Sequence, residues 1–194
     1  MGWGHFSTVW LSRDTKYNTY VAIKVQKSAS HYLEAAFDEV EILQKAVTHN
    51  EDKEWLEELK KFYHGKKLQF DRNDCHVVQL LNAFIYTGPF GRHFCMVFEI
   101  LGVNLLEIIK RYDYKGIPLP ICRKMARQVL LGLRYLHQYC GIIHTDLKPE
   151  NVLVETDGYL KLTDFGLAKK AKRKDNNMTF CGTASYLAPE ILTH

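Results

Sequence analysis

The chain has 194 residues, of which 46% are hydrophobic and 25% are charged, values typical of a folded globular protein with one large or two small domains. A formal net charge of +4 is too small to indicate a nucleic-acid partner, and no apolar run approaches the ~20 residues of a membrane span. The five cysteines are scattered and form no Cys-x-x-Cys pair, which favours a reducing compartment, the cytosol or the nucleus. We therefore expect neither a direct nucleic-acid partner nor a membrane partner.

The first part of the chain predicts strands followed by a helix. Residues 8–11 and 20–25 are β-branched or aromatic runs on either side of a polar turn, and they predict two strands. Apolar residues then recur every three or four positions over 31–47, which predicts a helix. Residues 49–74 are rich in Glu, Lys, Asp and Asn and predict a polar excursion, with a short amphipathic helix around 55–62.

The remaining elements become mostly helical after Gly102. Residues 77–86 and 94–100 predict two more strands, and Asn104 is a plausible N-cap for a helix over 105–112. Pro118 and Pro120 open a longer helix with one apolar face, formed by Met125, Val129, Leu133 and Leu136. Two short strands are predicted at 152–154 and 160–162, on either side of the turn Thr156-Asp157-Gly158.

This order of elements predicts an α+β fold with two lobes. A strand-rich lobe is expected over 1–101 and a helix-rich lobe over 102–194, with the boundary in the segment 99–102.

The stretch HTDLKPEN at 144–151, followed by DFG at 164–166, has the composition that phosphoryl transfer requires. Asp146 would accept or orient a hydroxyl proton, and Lys148 would steady the transferring phosphate. Asn151 and Asp164 would hold Mg²⁺. These two motifs resemble the catalytic loop and DFG motif of eukaryotic protein kinases, apart from Thr145, where that family usually has Arg.

A glycine-rich turn at the start of the chain, GWGHFSTV at 2–9, would let backbone N–H groups approach phosphate oxygens. Gly2, Gly4 and Ser7 occupy its three key positions, although a plain tight hairpin is the alternative. Lys24 in VAIK follows on a predicted strand, where it is either a phosphate-binding lysine or a surface lysine at a strand end.

Residues 2–153 resemble the SR-protein kinases, which phosphorylate arginine/serine-rich splicing factors. The resemblance is carried by GWGHFSTVWL at 2–11, HYLEAAFDEVEIL at 31–43, CMVFEILG at 95–102 and GIIHTDLKPEN at 141–151. It implies that Lys24 contacts the ATP phosphates and pairs with Glu39, whereas Glu34 and Glu41 would be solvated charges. It also implies an adenine pocket, in which Phe98 is the gatekeeper and residues 99–101 (Glu99 to Leu101) are the hinge. Leu153 would form the floor of this pocket, and Val9 and Ala22 would form its roof. Plain core packing is the alternative for Val9, Ala22 and Leu153.

Residues 155–192 instead resemble the AGC and calmodulin-type Ser/Thr kinases, through LKLTDFGLAKK and MTFCGTASYLAPEIL. That resemblance makes Thr179 a phosphorylation site, which an Arg before the catalytic Asp would normally grip. Because Thr145 occupies that position here, we expect phosphorylation of Thr179 to change activity little. The basic cluster of Lys169, Lys170, Lys172, Arg173 and Lys174 is expected to be a solvated loop; a substitute for the missing Arg and a nuclear-import signal are the alternatives. Thr183 is expected to hydrogen-bond near Asp146 and Lys148, and with Lys148 it favours Ser/Thr over Tyr as the acceptor.

The chain ends at His194, soon after Ala188-Pro189-Glu190, and the resemblance implies that much of a kinase helical lobe would lie beyond it. We therefore expect an incomplete second lobe. The function favoured by the motifs is a Mg·ATP-dependent Ser/Thr protein kinase, and the resemblance of residues 2–153 to the SR-protein kinases implies arginine/serine-rich proteins among its substrates. A nucleotide-binding fragment with little activity and a non-enzymatic piece that another chain completes are the alternatives.

Overall fold

The computed structural model describes residues 2–3, 7–67, 69–171 and 181–189 of the chain. Its strands are β1 (Gly2–Trp3), β2 (Ser7–Asp14), β3 (Thr19–Gln26), β4 (Leu80–Gly88), β5 (Gly91–Phe98), β6 (Ile142–Ile143), β7 (Val152–Val154), β8 (Leu160–Leu162) and β9 (Lys169–Lys170). Its α-helices are α1 (Ser30–Thr48), α2 (Lys53–Phe62), α3 (Leu105–Arg111) and α4 (Leu119–Arg134). Short 3₁₀ turns cover Arg72–Cys75, Pro149–Asn151 and Ala184–Tyr186, and a π-helical turn covers Tyr135–Cys140. The two-lobe α+β arrangement predicted from the sequence agrees with this order of elements.

The strand-rich part is a five-stranded antiparallel sheet in the order β1-β2-β3-β5-β4. Two predicted strands have different boundaries in the structure. The strand expected over 77–86 begins only at Leu80, because Val77 and Val78 pair with the β8 segment instead. The strand expected over 94–100 begins earlier, at Gly91, and ends at Phe98, so residues 99 and 100 leave the sheet.

Helix α1 packs across this sheet through its apolar stripe. Ala36 is fully buried against Phe94 and Met96 of β5, and Phe37 packs edge-on against Phe94 with ring centroids 4.9 Å apart. Further along α1, Leu43 belongs to the larger core shared with the helical part. The helix therefore contacts both halves of the fold, and Glu39 lies between these two contact regions.

The segment 49–74 is more than the polar excursion expected from its composition. The short amphipathic helix predicted within it is confirmed as α2, but Trp55 and Leu59 of that helix are completely buried. Trp55 packs on Tyr135 and Tyr139 of the π-helical turn, with ring centroids 4.7 and 5.2 Å apart. The segment thus contributes part of the central core, because a few apolar residues at helical spacing are enough to bury one face.

The helical part follows the prediction closely. Asn104 caps α3, its Oδ1 accepting a hydrogen bond from the Glu107 N–H at 2.9 Å. Helix α4 turns its apolar face to the core and continues into the π-helical turn, where Tyr135 and Leu136 are fully buried. The β7–β8 hairpin is present as expected. No helix in the described ranges is long and apolar enough to cross a membrane.

Candidate active site

A cavity of about 760 Å³ opens between the five-stranded sheet and the β7–β8 hairpin. Its lining includes nearly all of the predicted nucleotide-site residues: Ser7, Val9, Ala22, Lys24, Glu39, Phe98, Glu99, Leu101, Asn151, Leu153 and Asp164. Gly2 pairs with Val9 in the β1–β2 ladder, and Gly4 lies outside the described residues. The predicted adenine pocket and the predicted metal ligands therefore surround one space.

Three charged side chains meet at the inner end of this cavity. The Lys24 Nζ lies 2.7 Å from Glu39 Oε1 and 3.2 Å from Asp164 Oδ1. Burial by itself lowers the pKa of Lys24, but the two carboxylates outweigh it, so the pKa lies above its usual value. Lys24 therefore stays protonated and can donate to an anionic ligand.

The helix geometry explains why Glu39 is the partner of Lys24. Glu39 is only 2% exposed, whereas Glu34 and Glu41 of the same helix are exposed and Glu41 forms an ion pair with Lys170. The pairing implied by the resemblance is thus present in the structure, while its role in nucleotide binding stays a prediction.

A second cluster is centred on Asp146 of the catalytic loop. Lys148 Nζ donates to Asp146 Oδ2 at 2.8 Å, and Thr183 Oγ1 donates to Asp146 Oδ1 at 2.6 Å. Lys148 Nζ also donates to Thr183 Oγ1 at 2.8 Å, which closes a triangle of three side chains. Asn151 Nδ2 donates to the Asp146 backbone carbonyl at 2.9 Å and so ties the end of the loop to its beginning.

The electrostatics of this cluster keep Asp146 ionised. Burial raises the pKa of Asp146, but the hydrogen bonds from Lys148 and Thr183 outweigh that effect and lower the pKa below its usual range. An ionised carboxylate at this position can accept a hydrogen bond from an acceptor hydroxyl and orient it.

The backbone brings Thr183 to Asp146 by a close approach that only glycine permits. Gly182 has φ +115°, and a Cβ at this position would lie 2.7 Å from the Thr145 carbonyl oxygen. Because any other residue would clash there, Gly182 lets the segment 181–189 lie directly against the catalytic loop. The contact expected between Thr183, Asp146 and Lys148 is thereby present.

Thr145, the residue before Asp146, makes a neutral contact. Thr145 Oγ1 donates to the Leu167 carbonyl at 2.7 Å, just beyond the DFG motif. His144 Nε2 lies 2.9 Å from the Thr163 carbonyl, and its ring packs on the buried Phe165 at 4.9 Å. The catalytic loop and the DFG segment are therefore joined by uncharged contacts. Thr179, Glu190 and the basic residues Lys172, Arg173 and Lys174 lie outside the described residues.

Asn151 and Asp164 fit the role of Mg²⁺ ligands. Both line the cavity, and Asp164 adopts a left-handed backbone with φ +62° that is uncommon for a non-glycine residue. Mg²⁺ is usually bound by one or two carboxylates together with substrate phosphates, and one carboxylate beside one amide oxygen suits that mode. When bound, Mg²⁺ would neutralise charge on the transferring phosphates.

Several lining residues were missed by the sequence reasoning. They are Trp10, Leu11, Val78, Gly102, Val103, Asn104, Glu107, Glu150 and Thr163. Glu107 stands in the first turn of α3 and Glu150 within HTDLKPEN, and both residues line the cavity. Position within HTDLKPEN was a signal for Glu150, whereas no local pattern marks Val78, which reaches the cavity only through the tertiary fold.

Comparison with known proteins agrees with this geometry. The family model described as the protein kinase domain matches residues 1–194, and the chain belongs to that family.

Its relatives include Ser/Thr protein kinases of the SRPK type. The chain is 50% identical over 156 residues to the serine/threonine-protein kinase SRPK of Physarum polycephalum, an alignment covering 80% of this chain and 32% of the relative. It is 48% identical over 157 residues to the protein kinase dsk1 of Schizosaccharomyces pombe, covering 81% of this chain and 26% of that protein. It is 45% identical over 195 residues to the serine/threonine-protein kinase spk-1 of Caenorhabditis elegans, covering 99% of this chain and 17% of the relative. The chain thus spans about a third or less of the length of these relatives.

The resemblance to SR-protein kinases stated from the sequence is confirmed by these relatives. The alignment with spk-1 covers 99% of the chain and so extends past residue 153, which means that the similarity is not confined to the first part of the chain.

Proposed function

We propose that this chain carries the catalytic centre of a Ser/Thr protein kinase that transfers the ATP γ-phosphate to a protein hydroxyl. The observation that carries the proposal is the triangle of Asp146, Lys148 and Thr183 beside Asn151 and Asp164. In this arrangement Asp146 orients the acceptor hydroxyl, Lys148 stabilises charge on the transferring phosphate, and Lys24 binds the phosphates of ATP. Asn151 and Asp164 hold Mg²⁺.

The remaining assignments concern the nucleotide base and the two lobes. Residues 99–101 act as the hinge against adenine, with Val9 and Ala22 above the ring and Leu153 below it. Phe98 limits the depth of the pocket, while Gly2, Gly4 and Ser7 approach the phosphates. The lobes divide at 101/102, and the protein acts in the cytosol or the nucleus. The assignments of the hinge, Val9, Ala22, Leu153, Phe98 and Ser7 are supported by the cavity that these residues line together.

We further propose that the protein substrates include arginine/serine-rich proteins. A relative named SRSF protein kinase 3, from Mus musculus, is 43% identical over 83% of this chain, which supports this substrate class.

Transfer of radiolabelled phosphate tests the activity directly. The wild-type chain should phosphorylate a peptide with an arginine/serine repeat, and Asp146→Asn should lower the rate by roughly 10²–10⁴. The control substrate is a peptide that keeps the arginines of the repeat but contains a single serine. Phosphate transfer that persists in Asp146→Asn would refute the assigned role.

A thermal melt separates this proposal from the two alternatives. The melting temperature should rise with Mg·ATP, because a ligand of the folded state stabilises it by mass action. The rise should be lost in Lys24→Ala. A nucleotide-dependent rise without phosphate transfer would favour the nucleotide-binding fragment, and no rise would favour the non-enzymatic piece.

A further inference from the structure

A buried polar network lies directly behind the proposed hinge. Lys161 of β8 is completely buried, and its Nζ donates to Asn73 Oδ1 at 2.6 Å. The same Nζ donates to Glu99 Oε1 and Oε2 at 3.0 and 3.2 Å. Gln79 joins the network, since its backbone N–H donates to Glu99 Oε1 at 2.8 Å and its Nε2 to Asn73 Oδ1 at 3.1 Å. The segment 73–79, the hinge residue Glu99 and strand β8 are distant in sequence, and the ammonium group of Lys161 joins them in one network.

The burial of Lys161 makes this network mutually dependent. A buried ammonium group is tolerated only when charged and hydrogen-bonding partners compensate for its lost hydration. Glu99 supplies the opposite charge and Asn73 supplies a further acceptor. Displacing any one of these partners would leave polar groups without compensation, so each restrains the position of the others.

The backbone around the network transmits this restraint to the cavity. Lys161 pairs across the β7–β8 hairpin with Leu153, the proposed floor of the adenine pocket. The Glu99 N–H donates to the Gln79 carbonyl at 3.3 Å, and the Val78 N–H donates to the Leu162 carbonyl at 3.0 Å. The hinge, the floor and the segment 76–79 are thus tied together by these contacts.

We infer that Lys161, Asn73 and Glu99 are positioning residues that hold the hinge ready for the adenine ring. The inference rests on the proposed kinase function. If the network keeps the hinge in its binding-competent arrangement, its loss lowers the population of that arrangement. The apparent Kd then rises in inverse proportion to the fraction of molecules in the competent arrangement. If that fraction falls to between about a tenth and a fifth, the Kd rises about 5- to 10-fold.

The test is the equilibrium binding of Mg·ADP to the full 194-residue chain, measured by calorimetry. Lys161→Met should raise the Kd about 5- to 10-fold, and Asn73→Ala and Glu99→Gln should raise it in the same direction but less. The double variant Lys161→Met with Glu99→Gln should bind no more weakly than Lys161→Met, because both changes break one interaction. In steady-state assays KM for ATP should rise while kcat stays close to the wild-type value, a split that general loss of structure would not produce.

Lys67→Met is the matched control. Lys67 Nζ forms a 2.6 Å ion pair with Asp74, which is also completely buried and follows Asn73 directly, but neither side chain lines the cavity. This variant should lower the melting temperature and leave the Kd for Mg·ADP unchanged.

The outcomes separate the inference from the function on which it rests. If the wild-type chain fails to bind Mg·ADP, the proposed function fails and the inference falls with it. If the wild type binds but every folded network variant keeps the wild-type Kd, the inference alone is overturned. It is also overturned if Lys67→Met weakens binding as much as Lys161→Met. Should Lys161→Met fail to fold, Asn73→Ala decides the question, because it keeps both the ammonium group and the opposite charge of Glu99.

Discussion

Replacing Thr183 by Val is the sharpest single test of the catalytic cluster. The two side chains have nearly the same shape, but valine has no hydroxyl to donate to Asp146 at 2.6 Å or to accept from Lys148 at 2.8 Å. A hydrogen bond to a charged group contributes about 1.5–3 kcal/mol. If that energy is present in the transition state, its loss lowers kcat by about 10- to 150-fold.

The pH profile gives an independent readout of the same variant. The Thr183 hydroxyl helps to lower the pKa of Asp146, so its removal raises that pKa toward the usual value. Because the proposed mechanism needs the ionised carboxylate, the acid limb of the kcat profile should move to higher pH in Thr183→Val. Thr183→Ser keeps the hydroxyl and should stay within about threefold of wild type in kcat.

The assay is steady-state phosphate transfer to a serine peptide, with Mg·ADP binding measured alongside it. Thr183 does not line the cavity, so the Kd for Mg·ADP should be the same in wild type and both variants. A folded Thr183→Val chain that turns over within about twofold of wild type would refute the reasoning, since it would show that the hydroxyl is absent from the rate-limiting transition state.

Three further predictions concern stability and regulation. Trp55→Ala should lower the free energy of unfolding in urea by about 3–5 kcal/mol, because the ring is fully buried; a loss below 1 kcal/mol would contradict its place in the core. Burial lowers the pKa of His76 to about 4, so on acidification the unfolded chain takes up a proton first, and the free energy of unfolding should fall by about 3 kcal/mol between about pH 6.5 and 4. His76→Gln should remove most of that pH dependence. If the free energy of unfolding of the variant changes with pH as steeply as that of wild type, His76 is not its cause. Thr179→Ala and the Thr179-phosphorylated chain should turn over alike, since Thr145 offers no charge to a phosphate; a large gain on phosphorylation would disprove this.

The candidate site was largely predictable because its residues stand in short local motifs. HTDLKPEN and DFG specify Asp146, Lys148, Asn151 and Asp164 by spacing alone, since the loop that carries them is short. Glu39 was harder to choose, because three glutamates stand on one helix and periodicity gives no absolute orientation. Its selection needed the family resemblance, and the structure places it against Lys24 while Glu34 remains exposed.

The segment 49–79 shows where sequence reasoning stopped. The apolar residues Trp55 and Leu59 were placed in a predicted amphipathic helix, but nothing in the composition marked Asp74, which is also fully buried. A charge that is neutralised by a distant partner gives no local periodic signal, so neither the Lys67–Asp74 pair nor the contacts of Asn73 could be read from composition.

The sequence and its family resemblance indicated the class of chemistry, most of the strands and helices, and the residues that are assigned to phosphate and metal in the proposed mechanism. These follow from local properties: side-chain chemistry, spacing within a motif and the periodicity of apolar residues. Only the tertiary structure decided that Val77 and Val78 leave their predicted strand to pair with β8, and that a buried Lys161 reaches Glu99 behind the hinge. Such contacts join residues far apart in the chain, and their formation depends on the packing of the whole fold rather than on any neighbouring residue.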